Sequence, residues 1–155
     1  MYSELIVMVR SGKEDIDEAR HFIEVNHGGE LFGLIDMVLI DRDTTGKITY
    51  QMRWKEGDYP FNSHGRLAST FAEVIFDNSR AEERRQLVEA GLDPFFLRKV
   101  SEAFNPDSLA YLIHIPRESL LDSRRFLEIL EAQQGDLYHT TFRSQVEEVL
   151  LRQTG

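Results

Sequence analysis

The chain has 155 residues, of which 41% are hydrophobic and 29% charged, which fits one folded domain and excludes a chain disordered throughout. It contains no cysteine, so disulfides, thiolate catalysis and cysteine-based zinc or iron–sulfur sites are excluded. The formal charge is −9, from 18 Lys and Arg against 27 Asp and Glu, so the protein repels phosphate backbones and we expect no nucleic acid partner.

The sequence also argues against a membrane protein. No stretch approaches the roughly 20 apolar residues that a membrane span requires. The apolar run at the amino terminus has no basic region before it and is too short for a signal peptide. Because the lack of cysteine fits a reducing compartment, we expect a cytoplasmic protein with no membrane span.

A β-α-β pattern occurs twice, once near each end of the chain. The first half predicts strand, helix and strand at residues 3–10, 16–25 and 34–41. The second half predicts strand, helix and strand at residues 109–115, 120–131 and 136–142. Two such halves, joined through further helix, are typical of a split β-α-β, ferredoxin-like sheet. We therefore predict an α+β fold, with an added hairpin and extra helices, in a single domain over residues 1–155.

The first two predicted strands are apolar on both sides, as expected for strands in the middle of a sheet. The second face must then be covered by the extra helices or by another chain. Alternation predicts two apolar sets, one of Ile6, Met8, Val38 and Ile40 and the other of Leu5, Val7, Met37 and Leu39.

A hairpin is predicted after the second strand, with its turn around Thr45 and Gly46. From Ile48 to Trp54 apolar and polar residues alternate, which indicates a strand at or near an edge, or beside a cavity. Asp41 could begin a calcium loop, but the twelfth position, where such loops carry Glu, is Met52. A turn is the favoured interpretation.

Two helix starts are predicted between the halves. Ser79 and Glu82 have the spacing of a capping box and open a polar helix that ends at Gly91. Asp93 followed by Pro94 predicts the next helix. Its apolar stripe contains Phe96, Leu97, Val100 and Phe104.

Several short motifs lie along the chain. They are IDMVLIDRD at 35–43 with Gly46-Lys47, GLDPFFL at 91–97, PDSLA at 106–110, RRFL at 124–127 and LYHTTF at 137–142. Together they resemble an uncharacterised bacterial family of domain-of-unknown-function proteins, often labelled predicted membrane proteins. The resemblance spans most of the chain and implies a ferredoxin-like sheet without established chemistry. Family members carry a glycine-rich apolar segment, whereas residues 64–76 hold only Gly65 and include Arg66 and Glu73, so the membrane label is not transferred.

Candidate site residues are few. None of the five histidines forms an HxxxH or HExxH pair, and nucleophile-elbow, phosphate-loop and dinucleotide motifs are absent, so we predict no catalytic residue, no metal and no cofactor. His114 and His139 lie on the two strands of the second half, which could be neighbours. With Tyr50 and Trp54 they are our candidates for lining a ligand site.

Two functions are consistent with these observations. The favoured one is a non-catalytic module that forms a homodimer or binds another protein. The alternative is a small-molecule-binding protein, or a cofactor-free enzyme, with a pocket between the sheet and the extra helices.

Overall fold

The computed structural model describes residues 2–11, 36–51, 65–117, 123–131 and 135–154. Within them, five strands form one sheet and helices fill the intervals between the later strands. The strands are β1 (Ser3–Ser11), β2 (Asp36–Arg42), β3 (Ile48–Gln51), β4 (Ser108–Ile115) and β5 (Asp136–Phe142). The helices are α1 (Gly65–Phe76), α2 (Ala81–Glu89), α3 (Pro94–Ala103), α4 (Ser123–Glu131) and α5 (Ser144–Thr154), with a 3₁₀ turn (Asn78–Arg80) before α2.

The strand order is β3-β2-β4-β1-β5, and every neighbouring pair is antiparallel. β1 lies between β4 and β5, so the two ends of the chain contribute strands to one layer, and the predicted α+β class is confirmed. β4 in turn lies between β1 and β2. The predicted helix at 16–25 falls outside the described residues.

The register between strands decides which side chains share a face. Val7 of β1 lies opposite Leu112 of β4, which lies opposite Val38 of β2. Ile6 lies on the other face, together with Met37. The predicted grouping of Ile6 with Val38 is therefore wrong. A shift of one residue exchanges the two faces of a strand, and two strands that are apolar on both sides give no signal for their register.

Helices cover the face of the sheet that carries Val7, which we call the helical face. α1 contacts β2 and β4, α3 contacts β5 and β1, and α5 packs against α1 and α2. The predicted stripe of α3 is confirmed, since its four apolar residues are buried in this core. The largest side chains of the core are aromatic, and Phe76 packs against Phe104 with 4.7 Å between ring centres.

The opposite face is also buried in the single chain. Each of its central side chains is at most 2% exposed, and these are Ile6, Met8, Met37, Leu39, Tyr111 and Ile113. No second copy is needed to cover either face. An interface with another protein would therefore use the edges of the sheet or the outer surfaces of helices.

The helix ends agree with the sequence predictions at Asp93 and Gly91 and differ at Ser79. Asp93 caps α3 by accepting a hydrogen bond from the Phe95 amide at 2.9 Å, as predicted. The capping box predicted at Ser79 is wrong, because Asp77 accepts from the Ser79 amide at 2.9 Å and caps the 3₁₀ turn. α2 begins after that turn without a side-chain cap. Gly91, with a φ of +123°, ends α2 as expected.

In the parts of the chain that the structure describes, no helix has both the length and the apolar character needed to cross a bilayer.

Candidate functional site

The predicted ligand residues that the structure describes do not come together. His114 pairs with Leu5 across β1 and β4, whereas His139 pairs with Ile6 across β1 and β5. Consecutive residues of a strand face opposite sides, so the two imidazoles lie on opposite faces of the sheet with β1 between their strands. The two strands that carry the histidines, β4 and β5, are therefore not neighbours as the sequence suggested. Trp54 lies outside the described residues, and the ligand-binding role of the four residues stays a prediction.

His114 is buried in the core of the helical face. It is 0% exposed and packs against Phe142 and Phe71, with ring centres 6.0 Å and 5.8 Å away. The two phenylalanines meet each other edge to face at 5.3 Å. Two aromatic rings thus pack against this imidazole in the interior, where a solute from solvent does not reach it.

The polar end of this cluster joins the two ends of the described chain. The Ser3 hydroxyl donates to the Glu147 carboxylate and accepts from the Arg117 amide at 3.0 Å. His114 Nε2 lies 3.9 Å from Glu147 Oε1, which is an ion-pair distance rather than a hydrogen-bond distance. His114 and then Ser3 hold the pKa of the Glu147 carboxyl below its usual value, against the opposing effect of burial.

This cluster has the residue types of a hydrolase site but a different order of contacts. A serine nucleophile requires a base that accepts its proton, and that base is usually a histidine held by an acid. Here the Ser3 hydroxyl donates to the acid and the histidine lies behind the acid, away from solvent. The arrangement is therefore a structural tie between β1, β4 and α5.

The remaining two candidates, His139 and Tyr50, lie on the outer strands of the sheet as far as the structure describes it. His139 Nε2 is 3.2 Å from Glu4 Oε1, in a partly exposed pair on the face opposite to His114. Tyr50 lies on β3 and packs its ring against the core. Burial, followed by the negative charges of Asp77 and Glu73, raises the pKa of Tyr50 to about 12. This phenol therefore keeps its proton at neutral pH and offers hydrophobic contact rather than a base.

The acidic turn between β2 and β3 is a hairpin turn. The Asp43 carboxylate accepts from the Thr45 hydroxyl at 2.6 Å and from the amides of Thr45 and Lys47 at 2.9 Å each. These contacts use its oxygen within the turn and lower the pKa of Asp43. Over the described residues, no group of three or more histidine or acidic side chains is placed to hold a metal ion.

A surface cleft of about 490 Å³ lies between α2 and α5. It is open to solvent and is lined by Ala90 and Val149 as well as by polar side chains, whereas ligand sites are usually enclosed. The Gln153 amide spans it, donating to the Glu83 carbonyl at 3.1 Å and to Gln86 Oε1 at 3.0 Å. The cleft is therefore a helix junction held by hydrogen bonds.

The outer edge of β5 is the feature best suited to binding another protein. β5 pairs with β1 without interruption, from Ser3 opposite Phe142 to Val9 opposite Asp136, and has no bulge. No strand in the described part of the chain pairs with its other side. Its seven residues include neither proline nor lysine, which are the residues that usually protect an exposed edge. Alternate backbone groups of β5 thus face outward, ready to pair.

α3 borders this edge on the helical face and carries unpaired charges. Its exposed side presents Phe95, Arg98, Lys99 and Glu102. The Arg98 guanidinium lies 5.4 Å from the centre of the Phe95 ring, which is 63% exposed. Among the described residues, neither Lys99 nor Glu102 takes part in an ion pair. Burial first, and then the charges of Asp136 and Glu102, raise the pKa of Tyr138, which places Glu102 near β5.

Comparison of the chain with protein-family models, curated proteins and solved structures gives no match.

The sequence did not predict the tie between Ser3 and Glu147, because 144 positions separate the two residues. One signal was present. Glu147 lies at helical spacing beside the buried Val146 and Leu150, so an acid occupies the border of an apolar stripe. The open edge of β5 had no local signal, since the position of a strand in a sheet depends on the strands from the rest of the chain.

Proposed function

We propose that this chain is a non-catalytic module that self-associates or binds a protein partner by adding a strand to the outer edge of β5. The observation that carries the proposal is the combination of an open, regular edge with a sheet whose two faces are already buried. Strand addition gives affinity through backbone hydrogen bonds and specificity through alternate side chains. The proposal includes a bacterial, cytoplasmic setting and a ferredoxin-like sheet, and the insertion of β4 between β1 and β2 supports the latter.

A binding function is favoured over catalysis because the polar side chains that could do chemistry already contact other groups within the protein. The buried Ser3 and His114 both lie beside the partly buried Glu147, and the acidic turn uses the Asp43 carboxylate for hydrogen bonds within the turn. The small-molecule alternative requires a pocket beside Tyr50, Trp54, His114 and His139. It has less support, because Phe71 and Phe142 pack against the buried His114 and because the two histidines lie on opposite faces.

A peptide selection tests the proposal without a known partner. A phage-displayed library of extended peptides is selected on the purified protein, and amide hydrogen exchange then locates where the enriched peptides bind. We expect protection of the β5 amides, with those of β3 at the other edge of the described sheet as the internal control. The proposal is contradicted if no peptide is enriched and the protein does not self-associate, or if protection appears away from β5.

A further inference from the structure

The edge of β5 also fits a particular occupant. We infer that a second copy of this chain pairs with it, β5 against β5 and antiparallel, about a two-fold axis at His139. This inference rests on the proposed function and gives it a partner. The two sheets then join into one continuous sheet, and the two α3 helices meet beside the axis.

The sequence of β5 supports the position of the axis. His139 is the central residue of the seven, so an axis there pairs the full length of both strands, whereas any other position leaves residues unpaired. Asp136 then lies opposite Phe142, and Tyr138 lies opposite Thr140. An aromatic residue opposite a β-branched one is a favourable cross-strand pair, and no two acidic groups are brought together.

The dimensions of the fold bring the helices into contact. Neighbouring strands lie about 4.8 Å apart, so the axis runs about 2.4 Å outside β5. α3 contacts both β5 and β1 and therefore lies above the space between them. Its axis is then about 5 Å from the two-fold axis, and the two copies of α3 are about 10 Å apart, at the upper end of helix packing distances.

The charges of α3 are complementary to those of its own copy. A two-fold axis perpendicular to the sheet makes the two helices antiparallel. Arg98 and Lys99 of one copy then lie opposite Glu102 of the other, about an axis near position 100. The exposed ring of Phe95 is covered at the ends of the same contact. The isologous arrangement thus pairs the charges of α3 that form no ion pair with another described residue.

The interface is small. One strand pair and one helix pair fall below the roughly 1,200 Å² of a stable complex, so we expect reversible association with a micromolar dissociation constant. A single introduced cysteine reports the register, because the chain has none of its own. His139→Cys is expected to form a covalent dimer under mild oxidation, while Leu151→Cys on the exposed side of α5 is not. Equal cross-linking of both variants would indicate random collision and overturn the register.

A charge exchange tests the arrangement of α3. Glu102→Lys makes the exposed side of the helix entirely basic, and the double variant Arg98→Glu with Lys99→Glu makes it entirely acidic. All three substitutions are on exposed positions, and circular dichroism verifies that each variant folds. Sedimentation equilibrium is then measured for the native protein, for each variant, and for the two variants mixed.

The expected result is a native dimer, association weakened about tenfold or more in each variant alone, and recovery to near-native strength in the mixture. Variants that dimerise as well as the native protein, or a mixture that stays weak, would overturn the paired helices. A native chain that stays monomeric at millimolar concentration would overturn self-pairing. The broader proposal would then survive only if selected peptides still protect β5, so the two failures are distinguishable.

Discussion

The hydroxyl of Ser3, at the start of β1, donates a hydrogen bond to the carboxylate of Glu147 on α5. The same carboxylate lies 3.9 Å from the buried His114 of β4. One acid therefore fastens the last helix of the chain to two strands of the sheet. Because these contacts favour the charged carboxylate, they make the stability of the fold depend on pH.

Replacement of Glu147 is expected to flatten that pH dependence. A carboxyl whose pKa is lowered on folding adds stability that is fully present above its usual value of 4.5 and is lost as the pH falls through the lowered value. At neutral pH, Glu147→Gln should lower the free energy of unfolding by about 1–3 kcal/mol. Urea unfolding at several pH values below neutrality measures both effects.

Glu148→Gln is the matched control, because Glu148 is the next residue on α5 and is exposed. We expect the control to follow the native pH profile. A profile of Glu147→Gln that also runs parallel to that of the native protein would show that the carboxylate does not stabilise the fold.

The aromatic cluster around His114 makes Phe71 essential for stability. Phe71 is 0% exposed and contacts both His114 and Phe142. Phe71→Ala should cost about 3–5 kcal/mol, a large part of the 5–15 kcal/mol of a typical domain. Phe95→Ala, measured in dilute solution, should change stability by no more than about 0.5 kcal/mol, since Phe95 is exposed. Equal effects of the two substitutions in chemical denaturation would contradict the described core.

The amino-terminal cap of α3 should make its own contribution to the stability of the protein. Asp93→Ala removes the acceptor for the Phe95 amide and should destabilise the protein by about 1 kcal/mol. Asp93→Asn keeps an acceptor oxygen in the same place and should retain most of the stability. Thermal unfolding of the two variants gives the comparison, and identical losses would mean that the cap does not act through this hydrogen bond.

Gly135, directly before β5, lies close to β1. A Cβ atom at this position would be 2.8 Å from the Val9 carbonyl oxygen and 2.9 Å from Arg10 Cγ. Because backbone cannot yield as a flexible side chain does, Gly135→Ala should cost about 1–3 kcal/mol. The effect should appear as faster hydrogen exchange where β5 pairs with β1. Unchanged exchange in this ladder would contradict the close approach.

The sequence predicted what local patterns determine. Apolar runs located the strands, and Asp93 followed by Pro94 located the start of α3. The expectation that both ends of the chain contribute strands to one layer agrees with the position of β1 between β4 and β5. These features depend on neighbouring residues or on the general pairing rules of strands.

The sequence predictions that were wrong concern features that local patterns do not determine. Register decides which face of the sheet carries Ile6 and which carries Val38. The separation of His114 from His139 depends on which strand lies between their two strands. Those are properties of the whole sheet, and strands apolar on both sides carry no alternation that would reveal them. The cap at Asp77 was missed because a short 3₁₀ turn, which has no strong sequence pattern, precedes α2.

If the backbone of β5 pairs with another chain, amide hydrogen exchange at increasing protein concentration will reveal the pairing residue by residue. The amides of β5 that face outward should exchange rapidly in dilute solution and become protected as the protein concentration rises, while exchange at β3 stays unchanged. Pairing through β5 is ruled out if exchange at β5 is the same at every concentration and the selection also yields no peptide that binds β5.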